Sequence, residues 1–152
     1  MALSLRLALI SALVPPGARV CDIGTDHGYL PIELIKRGDI KSVIATDIRK
    51  MPLASAEKNI KSAGVGGITL RLCDGLEGIA QNEVDTVITA GMGGEVIASI
   101  LARSAIPTAS PAPLLILQPT TSPEILRRFL CENGFMAEKE IPVFENGKLY
   151  SV

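Results

Sequence analysis

A doubly wound α/β fold, its sheet mostly parallel and followed by a C-terminal antiparallel hairpin, is what this sequence predicts. Short β-branched runs alternate with helical patterns at a regular pace, the rhythm of repeated βαβ units. Those runs are apolar without clean alternation, as parallel strands covered on both faces should be. The tail AEKEIPVFENGKLYSV then breaks the rhythm, offering two extended segments around Asn146-Gly147, a turn pair suited to a hairpin.

The opening MALSLRLALISALV reads as an amphipathic first helix over about residues 3–14. Arg6 sits inside its apolar run and Pro15-Pro16-Gly17 ends it, so no export or membrane role is expected. RVCDIG (19–24), SVIATDI (42–48), ITLRLCD (68–74), VDTVITAG (84–91) and PLLILQP (113–119) read as five strands. The helical candidates between them are YLPIELIKRG, PLASAEKNIKSAG, GEVIASILARSA and SPEILRRFLCENG. Pro52 is expected to open the second of these; the last has Ser122 as cap, Pro123 at the first position and Gly134 past the end.

With 152 residues the chain reads as one domain, 1–152, and the sequence stops within the last expected strand, so a longer natural protein is expected. Hydrophobic residues make up 47% and aromatics 3%, with no Trp, so aliphatic side chains must fill the core. A net charge of -1 argues against a stand-alone nucleic-acid binder but leaves room for a local basic patch. Cys21, Cys73 and Cys131 are far apart and odd in number with no CxxC pair, which argues against a disulfide framework or a zinc site, so no metal is expected, and suits buried, reduced thiols in a cytoplasmic protein.

The first strand runs into Asp22-Ile23-Gly24-Thr25-Asp26-His27-Gly28. A dinucleotide fingerprint places a glycine where Asp26 stands, because pyrophosphate needs bare backbone there. Gly24 and Gly28 serve the tight turn and the helix packing, but Asp26 would repel a pyrophosphate. S-adenosylmethionine has an α-ammonium and a sulfonium in place of phosphates, and acids at 22 and 26 attract it. The competing reading of Asp26 is a simple helix cap.

Asp47 closes the second strand at an exposed strand end, about twenty residues on, where an acid accepts both ribose hydroxyls of an adenosine. Asp74 closes the third strand with Gly75 after it; it either receives an adenine amine or is an ordinary loop acid. Gly91, Met92, Gly93 and Gly94 end the fourth strand, either bringing backbone very near a ligand or making a tight connection. Gln118 ends the fifth strand facing the same cleft. His27 is read as part of the cofactor loop ahead of a general base. Arg6, Arg49, Lys50, Arg127 and Arg128 are candidates for phosphate contact, against the plainer reading of solvated charges.

LSLRL, DIGTDHGYLP, LRLCDGL, GMGG, ILQP and ENGKLYSV together resemble the bacterial tRNA (adenine-22)-N1-methyltransferases, over nearly the whole chain. The resemblance implies a Rossmann-like class I methyltransferase fold, with its seven-stranded sheet, S-adenosylmethionine as donor and tRNA as acceptor. Carried over by motif, Asp22, Gly24, Asp26 and His27 lie along the donor, Asp47 with Ile48 at its ribose, and Asp74 with Gly75 at its adenine. Gly91 to Gly94 then flank the transferring methyl, Asp26 is expected to place or deprotonate the substrate, and Arg6 and Gln118 are expected to bind it. Two features depart from the family: ATDI replaces an expected glycine-glutamate pair, and no counterpart of the helical extension that helps hold tRNA is present, so tRNA binding is expected to be weak. The rival classes are a small-molecule methyltransferase, a cofactor-binding core without catalysis, and, disfavoured by Asp26 and the hairpin, an NAD-dependent oxidoreductase.

Overall fold

A computed structural model describes residues 3–152. The elements run α1 (Leu5–Leu13), β1 (Arg19–Ile23), α2 (Tyr29–Lys36), β2 (Ser42–Asp47), α3 (Lys50–Ala63) and β3 (Ile68–Leu72). They continue as β4 (Thr86–Gly93), α4 (Gly94–Ala102), a 3-10 turn at Ile106–Thr108, β5 (Leu114–Thr121) and α5 (Pro123–Glu132), then β6 (Pro142–Glu145) and β7 (Lys148–Ser151). The first five strands form one parallel sheet in the order β3-β2-β1-β4-β5. The order reverses between β1 and β4, and in open α/β sheets that crevice, at the carboxyl ends, is where ligands sit.

Side chains alternate across the sheet, and the alternation sorts the core. Val20, Ile88 and Ile116 meet Ile10, Val14, Leu30 and Leu34 from α1 and α2. On the opposite face Cys21, Ile23 and Val87 pack with Leu76, Ile79 and Ile100. Two residues beyond Val20, Ile88 and Ile116 come Asp22, Ala90 and Gln118, so polar groups take over where the apolar layer under α1 and α2 ends.

Several local expectations shift. The hairpin forms at Asn146-Gly147, but β6 and β7 pair with each other as a separate two-stranded sheet, lying beside β5 and α1 without joining the ladder of the expected seven-stranded sheet. Helix α3 starts at Lys50, two residues before Pro52, because a proline is tolerated anywhere in a first turn whose N–H groups have no helical partner. Ser122 occupies the cap position of α5 as expected, its carbonyl accepting from the Ile125 N–H at 3.1 Å, but with φ 50 its side chain makes no cap bond. Of the three free thiols only Cys21 is buried; Cys73 is half-buried and Cys131 exposed, because position 131 falls on the outer side of α5. Among the described residues no helix is long and apolar enough to cross a membrane.

One glycine is fixed by packing. A Cβ built on Gly94 would collide with the carbonyl oxygen of Ser122, where the start of α4 meets the turn into α5. Neither partner is the flexible end of a side chain, so relief requires moving backbone. Gly94→Ala should therefore cost about 1–3 kcal/mol, the usual range for overpacking. Urea unfolding of the two proteins measures it; equal midpoints would show that the α4–α5 contact yields freely.

Candidate functional site

The backbone turns out of the sheet just after Ile23, where the N–H groups of Gly24 and Thr25 both donate to the carbonyl oxygen of Thr46, at 2.8 and 2.9 Å. Asp26 then adopts φ 50, the left-handed region, which aspartate tolerates better than most residues. That explains how an acid stands where a dinucleotide site has glycine: the turn is kept and a charge is added. Asp26 does not cap α2, whose cap position is Gly28. Its carboxylate faces the His27 ring, Oδ2 lying 3.5 Å from Nε2. The other ring nitrogen, Nδ1, lies 2.8 Å from the hydroxyl of Ser55 on α3, and Asn59 donates to the His27 carbonyl at 2.9 Å. Both edges of the imidazole are thus engaged by neighbours.

Asp22, the last residue of β1 to face α1 and α2, is 4% exposed. Burial pushes its carboxyl up to about 6, the Thr25 hydroxyl opposes this without reaching hydrogen-bond geometry, and the charge of Asp47 adds to it. Among the described residues no lysine or arginine nitrogen comes within 4 Å of it. A buried acid with no cation beside it fits a cationic ligand.

A cleft of about 220 Å³ opens over this acid. Asp22, Gly24, Thr25, Asp26 and His27 form one wall, Ala90, Gly91 and Gln118 another, and Ser4, Arg6 and Leu7 of the α1 segment a third. Tyr29 completes the mouth, its ring stacked on His27 with centroids 5.4 Å apart. Sequence reasoning did not single out Tyr29, Ser4 or Thr25; the available signal was an aromatic one residue after the last glycine of the turn. A larger groove of about 560 Å³ lies between α3 and β3 at the sheet's outer edge and holds none of the acids or glycines singled out above.

The remaining candidates lie around the cleft rather than in its lining. Asp47 is 5% exposed, not at an exposed strand end, because its Oδ1 turns inward to accept the Arg49 N–H at 2.9 Å, with Arg49 Nε at 3.5 Å. Its Oδ2 has no partner among the described residues. Ile48 beside it is exposed. Asp74 is held by both terminal nitrogens of Arg103, at 2.9 and 3.0 Å, which keeps its carboxyl below the usual range. Gly75 backs onto the side chain of Ile100.

The GMGG segment divides. Gly91 has φ 79, and its N–H donates to Gln118 Oε1 at 3.1 Å. Met92 lays the terminal methyl of its flexible thioether over Gly24. Gly93 has φ -68, and a Cβ there would meet the Glu95 carboxylate and the Thr121 hydroxyl at 3.0 Å. Gly94 faces Ser122 rather than the cleft. Arg6 is not free for phosphate: its Nε donates to Glu145 Oε2 at 2.6 Å, its Nη1 to Gln118 Oε1 at 2.9 Å. Arg127 is likewise tied to Glu140.

Residues 3–152 match the family model described as a methyltransferase domain. The tRNA (adenine(22)-N(1))-methyltransferase of Bacillus subtilis (strain 168) is 35% identical over 151 residues, which cover 99% of this chain and 63% of that protein. A putative tRNA methyltransferase of Mycoplasma pneumoniae is 32% identical, with 86% and 60% covered. The chain thus spans less than two thirds of the length of these curated relatives. A putative tRNA (m1A22) methyltransferase of Streptococcus pneumoniae, solved in complex with S-adenosyl-L-methionine, aligns at 40% identity and a TM-score of 0.90, covering 99% of this chain and 71% of that one. A relative from M. capricolum, solved with S-adenosyl-homocysteine, aligns at 31% identity and a TM-score of 0.88, with 99% and 67% covered.

The raised pKa of Asp22 has a definite consequence for stability. Its ordinary value is 3.8 and its folded value about 6, so the group favours the fold below the first and loses that contribution as pH rises through the second. Keeping it ionised at neutral pH costs the fold on the order of 3 kcal/mol. Asp22→Asn should therefore gain stability relative to the wild type between pH 4 and pH 7, by up to that order. Urea unfolding at stepped pH reads the difference, and parallel curves would show that Asp22 is solvated.

Proposed function

This chain belongs to the methyltransferase-domain family, and within it to the tRNA (adenine-22)-N1-methyltransferases, and from that premise we propose that it binds S-adenosylmethionine in the Asp22–Gly91 cleft and methylates N1 of adenine 22 in tRNA. The observation that carries the donor half is the buried, uncompensated carboxylate of Asp22 at the end of β1.

Asp22 and Asp26 would hold the α-ammonium, with His27 keeping the Asp26 carboxylate in place. Asp47 would accept the ribose hydroxyls through Oδ2, since Oδ1 is committed to its own turn. Asp74 has open acceptor positions beyond its Arg103 bonds, and with Gly75 would border the adenine. Ile48, exposed beside Asp47, would cover one face of the adenosine. When bound, the donor supplies an electrophilic methyl on a sulfonium. The chain's own work is alignment and exclusion of water: Ala90 and Gly91 line the approach from one side, and Tyr29 on His27 offers a stacking surface for an adenine. Adenine N1 carries a free lone pair, so no residue has to remove a proton before attack. A paired adenine must first leave its stack, at a cost of a few kcal/mol. The three free cysteines suit the cytoplasm, where tRNA is found.

The direct experiment is incubation with labelled S-adenosylmethionine and unmodified tRNA, followed by identification of the modified nucleoside; label at N1 of adenine 22 is the expected product. Calorimetry should show binding of S-adenosylmethionine or its demethylated product and far weaker binding of NAD. Comparable NAD affinity would defeat the reading of Asp22 and Asp26.

Asp47→Asn isolates the ribose contact, because the variant keeps an acceptor for the Arg49 N–H. Donor affinity should fall by about 1–3 kcal/mol, roughly 5- to 150-fold. An unchanged dissociation constant would remove Asp47 from the site.

A further inference from the structure

The side chain that organises the Gly91 wall of the cleft is held in place from the hairpin. Gln118 is completely buried, and its amide has a single workable orientation. Oε1 accepts from the Gly91 N–H at 3.1 Å and from Arg6 Nη1 at 2.9 Å, while Nε2 donates to the Pro119 carbonyl at 2.7 Å. Turning the amide over would aim its NH₂ at two donors. Glu145 holds the guanidinium that reaches Gln118: Oε2 accepts from Nε at 2.6 Å, and Oε1 accepts from the Arg6 backbone N–H at 3.3 Å. Tyr150, on the next strand of the hairpin, lies under the guanidinium with its ring centre 4.5 Å from Cζ. Glu145 is 8% exposed, so the pair is largely withdrawn from water and worth more than a surface ion pair.

The far end of this series is the position with least support of its own. Gly91 has a left-handed φ, no side chain, and open space within 4 Å of where a Cβ would stand. The ladder between β4 and β5 is irregular between Ala90 and Met92, so strand pairing does not fix its conformation. Its N–H bond to Gln118 does.

We infer that Glu145 is a positioning residue for methyl transfer, acting through Arg6 and Gln118 to hold the Gly91 backbone at the acceptor side of the cleft. The inference rests on the methyltransferase reading for its consequence but not for its geometry. The hairpin thereby acquires a role in the site, since 139 residues separate Glu145 from Arg6 and their contact ties the hairpin to the α1 wall of the cleft.

Two readouts test it. In ¹⁵N-labelled protein, Glu145→Gln should speed amide exchange at Gly91 at least fivefold, leaving the Gly24 and Thr25 amides on Thr46 unchanged. With saturating donor and tRNA, kcat should fall about tenfold, a change in aim rather than in occupancy. Arg6→Lys should reproduce both effects, since one ammonium nitrogen cannot span Glu145 and Gln118. The double variant should lose no more than the worse single one, as expected of members of one network. A Glu145→Gln protein with lowered Tm but unaltered Gly91 protection would overturn the proposal, leaving Glu145 a plain stabilising contact. Should that variant fail to fold, Arg6→Lys carries the same comparison. If the wild type itself transfers no methyl to tRNA, the functional reading fails, while exchange at Gly91 still decides the positioning role.

Discussion

One carbonyl oxygen organises the site. Thr46 on β2 accepts two consecutive N–H groups, from Gly24 and Thr25, and so draws the chain off the end of β1 at a fixed point. The last residue of β1 facing the α1–α2 layer is then Asp22, sunk below the turn, and the next acid, Asp26, is lifted onto the lip in a left-handed conformation. Because β1 stands between β2 and β4, the same turn opens toward the ends of both halves of the sheet. The alternation that places Val20, Ile88 and Ile116 in the core therefore delivers Asp22, Ala90 and Gln118 to one wall above it.

This arrangement sets stability against binding. A domain's net stability is about 5–15 kcal/mol, so an ionised buried acid is a sizeable fraction of it. A ligand cation beside Asp22 would offset that cost on binding, whereas a phosphate would add to it. The buried hydroxyls of Thr46 and Thr89, without partners among the described residues, flank Ile23, the last residue of β1, from the neighbouring strands. The polar burden of the fold is thus concentrated at the carboxyl edge, around the one crevice its topology provides.

The sheet and its helices were legible because aliphatic runs of strand length are hard to read otherwise, and GTDHG is an unusual way to leave a strand. Roles that depend on distant partners were not. GMGG reads as one ligand-facing motif, yet Gly94 is small because Ser122 approaches it and Gly91 because φ is positive. Arg6 and Asp74 read as available charges; Glu145 and Arg103 take them up, over separations of 139 and 29 residues that no local pattern spans. Aromatics at 3% point only to an aliphatic core, yet Tyr29 and His27 are stacked at the mouth of the cleft. The stack forms because the turn brings positions 27 and 29 to one side, which composition does not reveal.

The state of His27 decides what kind of chemistry the cleft is built for. A general base needs a ring nitrogen that can reach the acceptor's proton. Here Nδ1 is met by the Ser55 hydroxyl and Nε2 faces the Asp26 carboxylate, while Asn59 fixes the backbone carbonyl of the same residue. The imidazole is thereby a strut between the turn and α3, and it supports Tyr29 from behind. An acceptor that required deprotonation would be poorly served by such a wall. A ring nitrogen with its lone pair already exposed asks only for direction and for water to be kept out. On the methyltransferase reading, the buried acid of Asp22 for a cationic donor, the backbone wall at Gly91 and the stacked His27–Tyr29 pair belong together, and the work such a cleft would do is alignment.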